Sequence, residues 1–229
     1  MENNGLIFSM LSALLDYPDQ TLIAALDEIR ATLAAHPSLP ADTCSALIDL
    51  VDRLSARPLL DLQEDYVEIF DRGRATSLYL FEHVHGESRE RGQAMVDLLA
   101  MYETKGLFLG AGELPDYLPV FLEFLAHETP GQAHALLGEI ADITRQIATR
   151  LAERGTPYFA AVAALLPLAG EAPLANANAA LFDAATTRQI DSEALDREWQ
   201  EAPVSFLGAQ APLSKGPEPI QFYEKRPSR

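Results

Sequence analysis

Apolar residues recur at helical spacing along most of this chain, and that repeat constrains the fold more than any other feature. Residues three or four positions apart share one face of an α-helix, so each stripe predicts an amphipathic helix with one buried side. The clearest stripes lie within residues 22–33, 47–54, 62–70, 95–102, 118–125 and 136–147. No comparable run alternates with the period of two that marks a half-buried strand. The sequence therefore predicts an all-α protein.

Helix boundary signals agree with this prediction. Thr129 followed by Pro130 and Gln132 supplies a capping hydroxyl, a proline at the first helical position and the third-position glutamine of a capping box. Gly155 is typical of the end of one helix, and the Thr-Pro pair after it is typical of the start of the next. The connections are short, so 229 residues predict a single-domain helical bundle.

Two internal segments and the C-terminal part depart from the helical pattern. Residues 71–86 lack a clean stripe, and residues 106–119 are rich in Gly and Pro. The pattern decays beyond about Pro173, and five prolines follow from Pro203 onward. We therefore expect a helical domain over residues 1–172 and, over residues 173–229, a partly helical stretch that leads into a Pro-rich, mobile tail.

The charge excludes some partners and favours others. Seventeen basic residues against thirty-four acidic ones give a net charge of −17. Four basic and three acidic residues follow position 200, so the rest of the chain carries the whole negative excess. Such a field repels nucleic acid and anionic lipid and attracts basic peptides. Solubility alone is the alternative explanation for the acidic composition.

The N-terminal sequence predicts a cytoplasmic protein that does not insert into a membrane. No Lys or Arg precedes Arg30, so the basic region of a signal peptide is absent. The most apolar stretch, residues 158–169, is too short to span a bilayer and contains Pro167. The single Cys44 cannot form an internal disulfide, and its neighbours predict a small, buried or half-buried side chain.

Motifs for catalysis are missing from the sequence. We find no G-x-S-x-G, no phosphate-binding loop and no dinucleotide fingerprint. His83 and His85, flanked by Glu82 and Glu87, are metal-ligand types, but positions i and i+2 diverge on a helix. We therefore expect neither a metal site nor an enzyme. A helical metal-dependent enzyme and a permanent structural subunit of a redox complex remain the alternatives.

Aromatic and acidic residues cluster around the two irregular segments. Tyr66, Phe70 and Tyr79 lie near several carboxylates, and a second group surrounds Tyr117 and Phe121. Apolar anchors rimmed by carboxylates suit a groove that accepts a basic amphipathic helix. The alternative is that most of these aromatic side chains belong to the core.

Two long motifs resemble a known family. The run SLYLFEHVHGESRERGQAMVDLLAMYETKG (Ser77–Gly106) and the run ELPDYLPVFLEFLA (Glu113–Ala126) are similar to the NarJ family, the molybdenum cofactor assembly chaperones of respiratory nitrate reductase, often called its delta subunit. Leu14–Gln20 and Arg197–Phe206 also fit the family pattern. The resemblance covers almost the whole chain.

The resemblance implies the single-domain, all-helical fold of the redox-enzyme maturation proteins (TorD/DmsD-like). It implies a chaperone that binds the apo catalytic (alpha) subunit of nitrate reductase, including its N-terminal peptide. The chaperone would keep that subunit competent for insertion of bis-molybdopterin guanine dinucleotide before membrane attachment. It would bind no cofactor stably itself, and cofactor-delivery proteins are further candidate partners.

The resemblance and the aromatic cluster together nominate client-peptide-binding residues. By motif, the family's E-x-P-D-[HY] element falls on Glu113, Pro115, Asp116 and Tyr117. Its other signature falls on Tyr66, Phe70, Glu82, His83, His85, Glu87 and Ser88. The aromatic cluster adds Tyr79 and Phe121. The wider class usually has His where this chain has Tyr117, so no role that requires an imidazole is carried over to this position.

Overall fold

Helices make up nearly all the regular structure in the computed structural model, which confirms the all-α prediction. The structure describes residues 3–35, 39–84, 89–110 and 112–174. Within those ranges the β-structure is limited to one isolated antiparallel bridge between Tyr79 and Tyr117. The predicted tail and the Arg197–Phe206 motif lie outside the described residues.

The helices follow one another with short connections. Their bounds are α1 (Asn3–Leu15), α2 (Gln20–Ala34), α3 (Ala41–Ser55), α4 (Leu59–Tyr66), α5 (Leu80–Val84), α6 (Arg89–Glu103), α7 (Leu118–Ala126), α8 (Pro130–Glu139), α9 (Ala141–Glu153), α10 (Phe159–Ala163) and α11 (Leu165–Leu168). A π-helical turn over Val67–Asp71 directly extends α4, and a 3₁₀ turn follows over Arg74–Thr76.

Helix α1 is largely apolar and contributes most of its residues to the core. Ile7, Leu11 and Leu14 have no exposed surface. The helix crosses α7 closely: a Cβ atom at Gly5 would lie 2.6 Å from the carbonyl oxygen of Ala126. Only glycine allows this approach of the two helices.

Helices α2 and α3 bury the stripes that the sequence predicts. The buried residues are Leu22, Leu26, Ile29 and Leu33 on α2 and Leu47, Leu50, Val51 and Leu54 on α3. Asp19 caps α2 by accepting the N–H of Leu22 at 2.7 Å. The exposed sides carry polar residues, among them the Arg30–Asp52 ion pair at 2.6 Å.

The stripe at 118–125 is buried on α7 as predicted, but two others match less closely. The chain turns at Ile140, so the predicted stripe 136–147 is divided between α8 and α9. On α6, Tyr102 is buried, whereas Met95, Leu98 and Leu99 are only half-buried. The caps agree with the sequence: Thr129 accepts the N–H of Gln132, and Gly155 follows α9 with a φ of 66°.

The two irregular segments meet each other. The N–H of Leu80 donates to the carbonyl oxygen of Asp116 at 2.9 Å, and the N–H of Leu118 donates to that of Leu78 at 2.8 Å. These two bonds align residues 78–80 antiparallel to residues 116–118. Sequence positions almost forty residues apart are thereby joined at the start of α7.

Candidate functional site

A cleft of about 550 Å³ opens beside the joined irregular segments. Its walls come from the end of α1, the π-helical turn after α4, the connection between α6 and α7, and α7 itself. The lining residues are Ser12, Asp16, Tyr17, Tyr66, Phe70, Asp71, Leu78, Tyr79, Tyr102, Leu107, Phe108, Leu109, Gly112, Glu113, Leu114, Tyr117, Pro119, Val120, Glu123 and Phe124. Helix ends and loops thus supply most of the surface.

A network of tyrosine hydroxyls links the walls of the cleft. The Tyr66 hydroxyl donates to the carbonyl oxygen of Leu15 at 2.9 Å, and it lies 2.6 Å from the Tyr117 hydroxyl. The Tyr117 hydroxyl in turn donates to Asp16 Oδ1 at 3.2 Å. Burial raises the pKa of both phenols, so they remain neutral hydrogen-bonding groups near pH 7.

Aromatic rings pack around this network. The ring of Tyr17 meets that of Tyr66 edge-on at 5.5 Å, and Tyr66 lies 4.7 Å from Phe70. The rings of Tyr79 and Tyr117 lie 5.2 Å apart on the joined segments. These centroid distances are those of favourable aromatic pairs. Tyr66 and Phe70 are each only 4% exposed, so their rings pack beneath the cleft, whereas Tyr17, Tyr79 and Tyr117 present ring surface to it.

The charged groups in the cleft all have one sign. Asp16, Asp71, Glu113 and Glu123 line it, and no Lys or Arg is found among the described residues that do so. Glu113 accepts the N–H of Gly110 at 2.8 Å, which holds its carboxylate at the cleft. Carboxylates grouped in a concave, partly apolar site focus a negative potential, which attracts cations.

Arg154, at the end of α9, holds the π-helical wall in place. Its Nη1 donates to the carbonyl oxygen of Ile69 and to Thr76 Oγ1, both at 3.0 Å. Its Nη2 donates to the carbonyl oxygen of Glu68 at 3.2 Å. These carbonyls lie at the end of a helix, where partners within the helix run out. The wall that carries Phe70 is thus stabilised by one guanidinium group.

Asp116 is a buried link between segments, and its side chain does not line the cleft. It has no exposed surface, and its Oδ2 accepts the N–H of Phe81 at 3.2 Å and lies 3.8 Å from Arg91 Nη2. Its Oδ1 is buried with no hydrogen-bond partner among the described residues. Burial raises the pKa of this carboxyl group, although the Phe81 N–H and Arg91 oppose the rise. The structure thus corrects the expectation that Asp116 faces a client.

The structure brings together five of the thirteen residues predicted to bind a client peptide. Those that line the cleft are Tyr66, Phe70, Tyr79, Glu113 and Tyr117. Their role in binding stays a prediction. Three further predicted residues, His85, Glu87 and Ser88, lie outside the described residues.

The other predicted residues do not line the cleft. Pro115 and Phe121 are both buried, and Phe121, only 4% exposed, belongs to the apolar core. Glu82 is half-buried and lies 3.8 Å from Arg91, beside Asp116. His83 Nε2 is 2.9 Å from the carbonyl oxygen of Ser77, so the His83 ring contacts the backbone of the loop that precedes α5.

Sequence reasoning missed the cleft residues that come from α1 and from the Gly-rich connection. Asp16 and Tyr17 lie in the family-like motif at residues 14–20, but nothing in its spacing indicates that they approach Tyr117. Phe108 and Leu114 are 77% and 43% exposed. One signal in the sequence could have indicated Phe108: it is an aromatic residue in a glycine-rich segment with no helical stripe, so no helix face is available to bury it.

The part of the chain that the structure describes shows no cluster of three or more His, Cys, Asp or Glu side chains arranged to hold a metal ion. Nor does any helix in that part have the length and apolarity needed to cross a bilayer. Cys44 is half-buried, as expected, and burial raises the pKa of its thiol.

Comparisons with known proteins identify close relatives. The profile of the family described as "Nitrate reductase delta subunit" matches residues 36–164. The chain is 40% identical over 227 residues to the "Probable nitrate reductase molybdenum cofactor assembly chaperone NarW" of Escherichia coli (strain K12), covering 96% of this chain and 91% of NarW. It is 45% identical over 198 residues to the "Nitrate reductase molybdenum cofactor assembly chaperone NarJ" of the same strain, covering 86% and 84%.

A solved structure shows the same fold. It is described as a candidate redox enzyme maturation protein from Archaeoglobus fulgidus and superposes with a TM-score of 0.51 at 21% sequence identity, covering 72% of this chain and 91% of that one. The expected maturation-protein fold is thereby confirmed. Together with the family match and the identity to NarJ and NarW, this shows that the chain belongs to the nitrate reductase delta subunit family of molybdenum cofactor assembly chaperones.

Proposed function

We propose that this chaperone binds the apo catalytic subunit of respiratory nitrate reductase through that subunit's N-terminal segment, and keeps it competent for cofactor insertion before membrane attachment. The acidic, aromatic-lined cleft is the observation that supports this assignment. Family membership supports the class of client, and the cleft supports the chemistry of the bound segment. The cytoplasmic location is part of the same proposal.

The cleft suits one face of a short, cationic, amphipathic segment. Its volume of about 550 Å³ admits a few side chains and not a folded domain. Apolar side chains of the client would pack on the rings of Tyr17, Tyr79 and Tyr117, while its Lys and Arg approach the carboxylates. Desolvated apolar contact supplies most of the affinity, whereas charge speeds encounter and sets specificity.

The same charges argue that the cofactor belongs to the client and not to this cleft. Bis-molybdopterin guanine dinucleotide carries anionic phosphate groups, which the four lining carboxylates repel. We therefore propose that the chaperone acts on the polypeptide and binds no cofactor stably.

Calorimetry tests the proposal directly. The full-length protein is titrated with a synthetic peptide that spans the N-terminal residues of the cognate catalytic subunit. We expect binding at low salt that weakens at high salt without being lost, because salt screens only the exposed charges. The absence of any binding at low salt would contradict the proposal.

A matched pair of charge reversals locates the site. Glu123→Lys places a cation in the cleft and should weaken peptide binding, whereas Glu139→Lys makes the same change on an exposed position of α8 outside the cleft lining. Equal effects of the two variants would show that net charge, and not this cleft, governs binding.

Co-purification separates a chaperone from a permanent structural subunit. A chaperone should be recovered with client from cells starved of molybdenum and should be absent from the mature membrane enzyme. Recovery at fixed stoichiometry with the mature enzyme would favour the permanent subunit instead.

A further inference from the structure

We propose that Phe108 is the principal apolar anchor of the cleft and binds the apolar face of a cationic amphipathic client segment. This inference rests on the proposed function and adds the residue that grips the client. Phe108 lines the cleft and leaves 77% of its surface exposed, the largest fraction among the large apolar side chains that the structure describes.

Phe108 is presented by a short strap, residues 106–110, that is tied at both ends. At one end the N–H of Leu107 donates to the carbonyl oxygen of Tyr102 at 3.1 Å. At the other end the N–H of Gly110 donates to Glu113 Oε2 at 2.8 Å. The strap is therefore held at the cleft, and its exposed ring is positioned by the fold.

Exposure alternates along the strap. Leu107 and Leu109 are half-buried and pack against the core, whereas Phe108 between them is exposed. The two leucines account for the path of the strap, but no contact within the described fold accounts for exposing a phenylalanine between them. An exposed aromatic side chain on a cleft indicates an interaction surface.

Other exposed apolar side chains gather at the same place. Tyr17, 47% exposed, and Leu114, 43% exposed, line the cleft with Phe108. Seven large apolar side chains are exposed among the described residues, and three of them are found in this one cleft. Single exposed apolar residues are ordinary, but a group in a concave site marks a place where a partner binds.

The charges identify the occupant. Asp16, Asp71, Glu113 and Glu123 surround the apolar group, so the partner that fits carries Lys or Arg beside an apolar stripe. A second copy of this chain is a poor fit, because its net charge is −17 and the two acidic surfaces repel each other.

Calorimetry of the full-length protein with the N-terminal client peptide tests the anchor. Phe108→Ala should weaken binding by about tenfold or more, as truncation of an aromatic hot spot does. Leu60→Ala is the matched control, because Leu60 is 65% exposed on α4 but does not line the cleft, and it should bind as the wild type does. Phe108→Trp keeps an aromatic ring and should retain binding.

The outcomes separate this inference from the proposed function. If the wild type fails to bind the peptide, the proposed function fails. If the wild type binds and Phe108→Ala binds equally well, the anchor is refuted while the proposed function stands.

A fluorescence reporter covers the case in which Phe108→Ala perturbs the fold. The chain has one tryptophan, Trp199, so Trp199→Phe combined with Phe108→Trp leaves a single tryptophan, at the strap, which can be excited selectively over the tyrosines. Its emission should shift to shorter wavelength when peptide binds, because the ring leaves water. Unchanged emission on saturation with peptide would overturn the inference.

Discussion

The α2–α3 pair and the cleft are built by different kinds of interaction. The pair is held by eight buried apolar side chains on two regular stripes, so the stabilising energy is distributed over many similar contacts. The cleft is held by individual polar contacts, such as the Tyr66–Tyr117 hydroxyl pair and the three bonds from Arg154. Apolar packing stabilises the fold without fixing the exact position of any one side chain. Hydrogen bonds, by contrast, hold individual side chains of the cleft in defined positions.

The largest expected effect tests whether stability and binding separate along that division. Leu50 is fully buried on α3, so Leu50→Ala should lower the free energy of unfolding by about 2–5 kcal/mol in urea denaturation. The exposed Leu60→Ala serves as control and should change it by less than about 0.5 kcal/mol. Peptide affinity of the folded Leu50→Ala protein should match the wild type. A comparable loss of affinity would show that the two regions are coupled.

Arg154→Ala should have an intermediate effect on stability and a clear effect on binding. Removing the guanidinium takes a charged donor from two backbone carbonyls and Thr76; because Arg154 is exposed and water can replace it, the cost is about 1 kcal/mol. Because the π-helical wall then loosens around Phe70, peptide affinity should fall as well. Unfolding in urea and calorimetry with the client peptide measure the two effects.

Arg150→Ala provides the control for Arg154→Ala. Arg150 lies on the same helix and pairs with Glu153 at 2.9 Å, but both side chains are more than half exposed. Loss of this pair should cost less than about 0.5 kcal/mol and leave affinity unchanged. If both arginine variants behave alike, Arg154 has no special role at the wall.

The smallest expected effect concerns pH and Asp116. Burial raises the pKa of this carboxyl group in the folded state. The wild type is therefore most stable below the ordinary Asp pKa, where the group is neutral, and its free energy of unfolding falls as pH rises through the raised pKa. Asp116→Asn cannot ionise and can still accept the N–H of Phe81. Its stability relative to the wild type should therefore increase from acid to neutral pH, by about 1 kcal/mol or less.

Denaturation in urea at a series of pH values measures that difference. A difference that stays constant with pH would mean that Asp116 titrates alike in the folded and unfolded chains. A decrease toward neutral pH would mean that the attraction of Arg91, 3.8 Å away, outweighs burial.

The helices could be predicted from the sequence to a greater extent than the cleft, for a physical reason. Leu22 and Leu47 are buried because they lie on the apolar face of a helix, and the spacing of apolar residues in the sequence identifies that face directly. The meeting of Tyr117 with Asp16, 101 positions apart, depends on the path of the irregular segment 106–119 and on the packing of α1 against α7. No local repeat encodes such a path, so the aromatic and acidic residue types could be nominated but their neighbours could not.

The same limit explains the residues that were wrongly assigned a surface role. The family motif nominates Asp116 and the aromatic cluster nominates Phe121, yet Asp116 bridges two segments and Phe121 lies in the core. A motif indicates that a residue matters and leaves open whether it matters for contact or for support. Burial distinguishes the two cases, and burial becomes known only with the tertiary structure.

The close crossing at Gly5 helps to fix the position of α1 on α7. Gly5 meets Ala126 near one end of α1, and the Ser12 hydroxyl donates to the carbonyl oxygen of Pro119 at 2.8 Å, about 10 Å further along at the helical rise. The chain continues from α1 directly into Asp16 and Tyr17, which line the cleft. A bulkier residue at position 5 would force the two helices to shift against each other, so it should disturb the geometry of the cleft without altering any residue that lines it.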